Sequence, residues 1–143
     1  MAAERTAQVT WSGSLMDGRG RIESVGSGAF GPLDVTWASR TETPEGLTSP
    51  DELLAAAHAA CFSMALSHGL AQAGSPPERL ETQATVTFVP GTGITKSALI
   101  VRGTVPGMDE AAFLEHAEAA KKGCPVSKAL AGVPEITLDA ALA

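Results

Sequence analysis

The chain has 143 residues, of which 44% are hydrophobic and 18% charged, and its formal net charge is −6. This balance is typical of a soluble globular protein, and the length allows one domain, residues 1–143, to bury a core without disulfides or metals. The negative charge and the absence of any basic run exclude an ordinary nucleic-acid-binding protein, because phosphates are bound by clustered Lys and Arg.

The start of the chain, MAAERTAQVT, lacks the apolar segment of a signal peptide. The longest apolar stretch, residues 53–66, is interrupted by His58 and Ser63 and is too short to span a bilayer. We therefore expect a cytoplasmic protein that does not bind membranes. In that reducing compartment, two cysteines favour redox chemistry or simple packing over a permanent structural disulfide.

The first forty residues are predicted to form three strands. AQVTWSGSL and RIESV, joined by the turn MDGRG, have the pattern of a hairpin. LDVTWASR, residues 33–40, has the same alternation and is predicted to be the third strand. The loop TETPEGLT follows, because Pro44 and Gly46 interrupt regular structure.

The segment SPDEL carries the strongest helix-start signal in the chain. Ser49 suits the N-cap, Pro50 suits the first helical position, and Glu52 completes a capping box. We expect the helix to continue to about Ala73, before Gly74.

This long helix is predicted to be buried on all sides, since residues 53–77 include no Asp, Glu, Lys or Arg. At about 1.5 Å per residue its length would exceed roughly 30 Å, which is close to the diameter of the whole domain. We therefore expect either that sheets wrap around the helix or that a second subunit packs against it.

The rest of the chain is predicted to form two strands, two helices and a final strand. In order, these are ETQATVTFVP, ITKSALIVRGTV, MDEAAFLEHAEAAKK, CPVSKALA and PEITLDAAL. The resulting order, βββ-α-ββ-α-α-β, indicates the α+β class rather than a parallel α/β fold.

The two cysteines are the main candidates for chemistry. Cys61 lies in the long apolar helix, and composition alone favours a structural role for it as a small buried hydrophobe. Cys124 lies at the start of a short helix close to Lys121, Lys122 and Lys128, where free N–H groups and positive charge favour a thiolate. Local electrostatics therefore indicate Cys124 as the readier nucleophile, and Cys61 would need a cation from elsewhere in the fold.

Two segments, TSPDELLAAAHAACFSMALSHGL and the distant GCPVSKAL, closely resemble the OsmC family of hydroperoxide-reducing proteins, within the wider OsmC/Ohr superfamily. VTWSGSLMDGRG and EITLDAAL are also similar, so the resemblance covers essentially the whole chain, and HAACFSMALS and CPVS favour the OsmC branch over the Ohr branch. The resemblance implies an α+β fold with antiparallel sheets wrapped around a long buried central helix, in an intertwined homodimer.

The resemblance also implies a set of catalytic residues. Cys61 would be the peroxidatic cysteine and Cys124 the resolving cysteine. Arg40, near the end of the third predicted strand, takes the place of an arginine, and Asp51 takes the place of a carboxylate that is usually Glu. Because Asp is one methylene shorter, we expect a looser salt bridge to Arg40. Glu52 is the alternative carboxylate, although the capping box is its expected role.

The implied activity is the reduction of organic hydroperoxides to alcohols. The Cys61 thiolate would become a sulfenic acid, Cys124 would form a disulfide with it, and an external dithiol, of the lipoyl type or another, would reduce that disulfide. No cofactor is expected. The alternatives are a non-catalytic, stress-induced protein of the same fold that binds ligands or senses redox state, and a slow disulfide-exchange protein.

Helix geometry adds a prediction about assembly. Asp51 and Cys61 are ten residues apart in sequence, which is about 15 Å along one helix axis. They cannot both touch one small substrate from the same helix. If both serve one site, one of them comes from a partner chain, in a two-fold dimer with active sites at the interface.

Other candidate residues have structural explanations. His58 and His68 can share a helix face with Cys61, but a metal site requires three or four ligands. We expect His58 to be a hydrogen-bonded core residue, with tuning of the thiol as a second role, and His68 to interact favourably with the helix C-terminus. Arg19 and Arg21 are alternative arginines, for which a solvent-exposed turn is the favoured interpretation.

Overall fold

In a computed structural model that describes all residues 1–143, the long helix predicted from SPDEL extends over Pro50–Gln72. The elements in chain order are β1 (Ala7–Ser12), β2 (Arg19–Val25), β3 (Leu33–Val35), α1 (Trp37–Thr41), α2 (Pro50–Gln72), β4 (Arg79–Val89), β5 (Gly93–Thr104), α3 (Glu110–Gly123), α4 (Pro125–Ala129) and β6 (Glu135–Leu142). The predicted α+β class is confirmed. The chain divides into two compact units, residues 1–53 and 54–143.

The first unit contains an antiparallel sheet in the order β1-β2-β3. The predicted hairpin is present, with Ser12 paired to Arg19 where the strands meet the turn. A glycine is required at position 20, because a Cβ there would lie 2.6 Å from the Trp11 ring and 2.7 Å from Val35. The Trp11 ring on β1 and the Val35 side chain on β3 therefore both pack directly against the β2 backbone at Gly20.

The third strand is shorter than predicted, because it ends at Val35 and helix α1 begins two residues later. Thr36 is the N-cap of α1: its side chain accepts a hydrogen bond from the Ser39 N–H at 3.0 Å, and Ser39 Oγ accepts one from the Thr36 N–H at 2.9 Å. This reciprocal capping turns the chain into a helix. The prediction of a strand over 33–40 is therefore wrong in its second half, and Arg40 lies on α1.

The second unit contains a sheet in the order β4-β5-β6. β4 and β5 form a long antiparallel hairpin, whereas β6 runs parallel to β5. A parallel neighbour requires a long crossover connection, and α3 and α4 provide it. The expectation of purely antiparallel sheets is therefore wrong for this pair of strands.

The core of the second unit forms where α2 and α3 pack against β5. Its buried side chains come from α2 at four-residue spacing, from alternate positions of β5 and the residue just after it, and from the inner face of α3 and its C-cap. They are Phe62, Leu66, Leu70, Leu99, Val101, Val105, Phe113, Ala117, Ala120 and Cys124. Because Cys124 belongs to this cluster, the core fixes one of the two thiols.

Helix α2 is not buried on all sides within the single chain, so that prediction is wrong for one subunit. Phe62 and Leu66 are fully buried, but Ala56, Ala60 and Met64 are exposed, and Met64 is 73% exposed. These three residues are spaced four apart and form one apolar stripe. By length and composition α2 could cross a membrane, but its opposite face lies in the core.

The contact between β5 and α3 gives a test of the fold. At Gly103 a Cβ would lie 2.6 Å from two ring atoms of the buried Phe113. We expect Gly103→Ala to lower the free energy of unfolding by about 1–3 kcal/mol, because the core must shift to admit a methyl group. Urea denaturation followed by circular dichroism measures this change.

The matched control is Gly132→Ala, where an added Cβ meets no atom within 4 Å. This variant should be neutral or slightly stabilised, since alanine reduces the entropy of the unfolded chain. Equal stability of the two variants would contradict the packing of Phe113 against Gly103.

Candidate active site

The two cysteines, 63 positions apart in sequence, are neighbours in the second unit. Cys61 lies on α2 and is partly buried, and Cys124 lies at the junction of α3 and α4 and is fully buried. Both are free thiols, and their side chains hydrogen-bond to each other. The core thus places the two thiols beside each other.

The surroundings of Cys124 favour its thiolate. Burial opposes ionisation, but the hydrogen bond from Cys61, the N–H groups of Ser127 and Val126 and the Ser127 hydroxyl outweigh it and lower the pKa of Cys124. The sulfur forms no well-aligned capping hydrogen bond, so the N–H groups of α4 act on it through looser contacts. This result agrees with the local electrostatics read from the sequence. Lys121, expected to assist, pairs instead with Glu118 at 3.4 Å.

The surroundings of Cys61 have the opposite effect. Burial and the hydrogen bond to Cys124 raise the pKa of Cys61, and the Val126 N–H only partly offsets them. No charged group of the chain contributes among these influences except Cys124 itself, which repels a second negative charge. Within one chain, Cys61 is therefore the less acidic thiol of the pair, and a nearby cation would be needed to lower its pKa.

A buried hydrogen-bonded chain lies beside the thiols. His58 is completely buried, with Nδ1 2.7 Å from Ser97 Oγ and Nε2 2.8 Å from Ser127 Oγ. Burial lowers the pKa of His58 and keeps the imidazole neutral. The core role predicted for His58 is confirmed. Its two serine partners were not predicted, because both are distant from His58 in sequence. The only available clue was the position of Ser127, three residues after Cys124.

Arg40 and Asp51 form a bidentate ion pair within the first unit. Arg40 Nε lies 2.9 Å from Asp51 Oδ2, and a terminal guanidinium nitrogen lies 3.2 Å from Oδ1. The Asp51 side chain is 9% exposed and that of Arg40 is 25% exposed. The expectation of a loose salt bridge is therefore wrong. The short helix α1 brings Arg40 close enough for the shorter Asp side chain to reach it.

Glu52 is turned away from this ion pair and accepts a hydrogen bond from the Thr48 hydroxyl at 2.8 Å. Ser49 Oγ accepts from the Glu52 N–H at 3.2 Å, so the N-cap predicted at Ser49 is present. The predicted capping box is only half formed, because the Glu52 carboxylate bonds Thr48 rather than the N-cap backbone. Asp51, not Glu52, is the partner of Arg40.

The remaining arginine candidates form ion pairs with other residues. Arg19 pairs with Asp34 at 2.7 Å, and this hydrogen bond lowers the pKa of Asp34. Arg21 lies 3.7 Å from Glu23, and both arginines are more than half exposed. No three His, Cys, Asp or Glu side chains converge in a way that would hold a metal ion.

A family model for OsmC-like proteins matches residues 43–139. This range contains the ion-pair carboxylate, all of α2 and both cysteines. The peroxiredoxin OsmC of Escherichia coli (strain K12) is 42% identical over 142 residues, which cover 97% of this chain and 96% of the relative. The chain belongs to the OsmC-like family.

Solved structures agree with this assignment. The organic hydroperoxide resistance protein OhrB of Bacillus subtilis is 27% identical, with a TM-score of 0.62 over 96% of this chain and 98% of its own. An OsmC-like protein from Mycoplasma pneumoniae has a TM-score of 0.74 over 99% of both chains at 17% identity. The latter likeness concerns the fold alone. The similarity predicted from the two cysteine segments is confirmed.

The ion pair gives a second test. Asp51→Asn should lower the free energy of unfolding by about 1–2 kcal/mol, because it removes a charged acceptor from a guanidinium that is largely buried. Glu52→Gln is the matched control, since that side chain is exposed and retains its bond to Thr48, and it should change stability by less than about 0.5 kcal/mol. Thermal or urea unfolding distinguishes them. A larger loss in the Glu52 variant would contradict the assigned pairing.

Proposed function

We propose that this OsmC-like protein is a cysteine-based peroxidase that reduces organic hydroperoxides to alcohols. The observation that carries the proposal is the hydrogen-bonded pair of free thiols, Cys61 and Cys124, held in the core of the second unit. The proposal is supported by full-length similarity to a peroxiredoxin and by similarity to an organic hydroperoxide resistance protein. Cys61 is the peroxidatic cysteine, because it is the less buried of the two and a peroxide can reach it.

In the first step, the Cys61 thiolate attacks the outer oxygen of ROOH and the O–O bond breaks. The alkoxide takes up a proton and leaves as the alcohol, while Cys61 becomes a sulfenic acid. The thiol sulfur is oxidised by two electrons and the peroxide is reduced by two. Apolar side chains packed against the core that contains Cys124, such as Ala65 and Val126, favour an organic R group over hydrogen peroxide.

In the second step, the Cys124 thiolate attacks the sulfenic sulfur of Cys61. An S–S bond forms, and hydroxide leaves as water after protonation. The hydrogen bond between the two thiols in the reduced chain means that little movement is needed. A dithiol, of the lipoyl type or another, then reduces the disulfide to two thiols and is itself oxidised to a disulfide.

Activation of Cys61 requires a cation, and we assign this role to Arg40, held by Asp51. A guanidinium near a thiol lowers its pKa and also donates hydrogen bonds to a bound peroxide. Asp51 and Cys61 are about 15 Å apart along α2 by helix rise, so we propose that the arginine reaches Cys61 from a partner subunit. The exposed apolar stripe of Ala56, Ala60 and Met64 on α2 supports a dimer, because a second copy would cover it.

Two other functions remain as alternatives: a non-catalytic, stress-induced protein that binds ligands or senses redox state, and a slow disulfide-exchange protein. The peroxidase is distinguished from the first by stoichiometric consumption of hydroperoxide that depends on Cys61. It is distinguished from the second by its need for peroxide before any dithiol is oxidised. We place the proposed activity in the cytoplasm, where dithiol reductants are maintained.

The roles of the cysteines are tested with cumene hydroperoxide, a dithiol and the variants Cys61→Ser and Cys124→Ser. We expect Cys61→Ser to consume no peroxide, because it lacks the nucleophile. Cys124→Ser should react once and accumulate sulfenic or over-oxidised Cys61, detected by mass spectrometry. The reverse pattern would make Cys124 the peroxidatic residue, and no consumption by the wild type would exclude the peroxidase.

The role of Arg40 is tested with Arg40→Gln, with Arg19→Gln as the control because Arg19 forms an exposed ion pair elsewhere. A nearby positive charge lowers a pKa by about 1–3 units, so its loss should slow the reaction of Cys61 near pH 7 by about tenfold or more. The pH–rate profile should move to higher pH, since less thiolate is present at each pH. An unchanged profile in Arg40→Gln would contradict the assignment.

The dimer is tested by sedimentation of the wild type at the concentrations used for kinetics. We expect a dimer, and a mixture of the impaired variant Arg40→Gln with the inactive variant Cys61→Ser should rise to about a quarter of the wild-type activity, above the residual activity of Arg40→Gln alone. This is the fraction of sites that combine an intact arginine from one subunit with an intact cysteine from the other when subunits exchange at random. A fully active monomer would overturn this part of the proposal.

A further inference from the structure

His58 is a buried titratable group with no part in the mechanism proposed above. It is completely buried on α2, and both ring nitrogens lie within 2.8 Å of serine hydroxyls. Ser97 comes from β5 and is itself fully buried, and Ser127 comes from α4 and is 7% exposed. The imidazole therefore joins the sheet to the short helix that carries Cys124 at its N-cap.

Two proton arrangements fit this chain, because the ring proton can lie on either nitrogen and each serine hydroxyl can donate or accept. A neutral imidazole has one N–H donor and one acceptor nitrogen. When the Ser127 hydroxyl donates to the Cys124 sulfur, Ser127 Oγ must accept a hydrogen bond from His58 Nε2–H. Nδ1 is then the acceptor, and the Ser97 hydroxyl donates to it. All of these groups are satisfied, and no buried side-chain polar atom lacks a partner.

We propose that His58 is a positioning residue which, with its proton on Nε2 and with Nδ1 accepting from Ser97, holds the Ser127 hydroxyl as a hydrogen-bond donor to the Cys124 sulfur. The opposite tautomer would turn the Ser127 hydroxyl towards His58 and leave Cys124 without this donor. The chain Ser97–His58–Ser127 thus selects the thiolate form of Cys124. Its effect on Cys124 agrees with the direction in which the Ser127 hydroxyl shifts that thiol.

This inference rests on the proposed peroxidase for its consequence. A stabilised Cys124 thiolate serves twice in the reaction cycle, as the nucleophile that attacks Cys61 sulfenic acid and as the leaving group when the disulfide is reduced. The less basic thiol leaves faster, and the more exposed sulfur is attacked more readily. The dithiol should therefore attack Cys61 sulfur and form a mixed disulfide there, while Cys124 departs as the thiolate with the S–S electron pair.

The first experiment measures the pKa of Cys124 by thiolate absorbance in the Cys61→Ser background, which leaves one thiol. Ser127→Ala should reduce the fraction of thiolate near pH 7 by about threefold to tenfold, because it removes one hydrogen bond to a charged group. Ser127→Thr, which keeps the hydroxyl, should restore the titration. Ser63→Ala is the control, since its hydroxyl bonds Ala59 and Thr82 instead.

The role of His58 is separated from simple packing by two further variants in the same background. His58→Leu removes both hydrogen bonds and should shift the titration as Ser127→Ala does. Ser97→Ala leaves the imidazole in place but removes the donor to Nδ1, so it should shift the Cys124 titration in the same direction by a smaller amount. This variant keeps the test available if His58→Leu does not fold. Titrations unchanged in both Ser127→Ala and Ser97→Ala would overturn the proposal, because a purely structural histidine predicts lower stability without a change in Cys124.

The second experiment needs no peroxide, so it remains informative if the peroxidase proposal fails. The Cys61–Cys124 disulfide is formed with diamide and reduced with a limiting monothiol, and the mixed disulfide is mapped by mass spectrometry. We expect the adduct on Cys61, and we expect Ser127→Ala to react about threefold to tenfold more slowly because the leaving thiolate is less stabilised. An adduct mainly on Cys124, or an unchanged rate in Ser127→Ala, would contradict the assigned direction.

Discussion

The Cys61 thiol donates a hydrogen bond to the Cys124 sulfur, and this contact sets the chemistry of the rest of the candidate site. Two thiols in contact share one favourable negative charge, because a second thiolate would be repelled by the first. Within one chain the surroundings favour that charge on Cys124 rather than Cys61, because the N–H groups of Val126 and Ser127 and the hydrogen bond from Cys61 lower the pKa of Cys124. The peroxidatic role proposed for Cys61 then demands a strong external cation. This requirement, more than any single distance, is why the proposed mechanism includes an arginine from a second subunit.

The packing around this contact explains how it is maintained. The buried face of α2, including Phe62 and Leu66, fixes the helix that carries Cys61, and the α3–α4 crossover carries Cys124 into the same core. The opposite face of α2 exposes apolar side chains such as Met64. In our proposal one face of α2 packs in the core and the opposite face packs against a second subunit. This arrangement explains why the helix lacks charged residues after Glu52, whereas burial within one chain covers only one of its faces.

The ion pair of Arg40 and Asp51 shows how local capping can prepare a functional side chain. Ser39 and Thr36 cap α1 reciprocally, and Ser39 Oγ also donates to the Thr48 carbonyl at 3.0 Å, which ties α1 to the segment before α2. Arg40 then meets Asp51, whose side chain is one methylene shorter than the Glu that the sequence resemblance implied, at full bidentate geometry. The position of the α1 backbone makes up for the shorter side chain, so the ion pair is not loose.

The sequence by itself determined the long helix and its N-cap at Ser49, the hairpins, the α+β class and the family, because these follow from periodicity, turn residues and short motifs. It did not determine the α1 turn, where a Thr and a Ser cap a helix inside an alternating segment, or the parallel pairing of β5 with β6, which depends on a long-range connection. Nor did it assign Ser97 and Ser127 as partners of His58, since 39 and 69 residues separate them from it. Only the tertiary structure decided these contacts, because hydrogen bonds between distant segments leave no periodic signal in the chain.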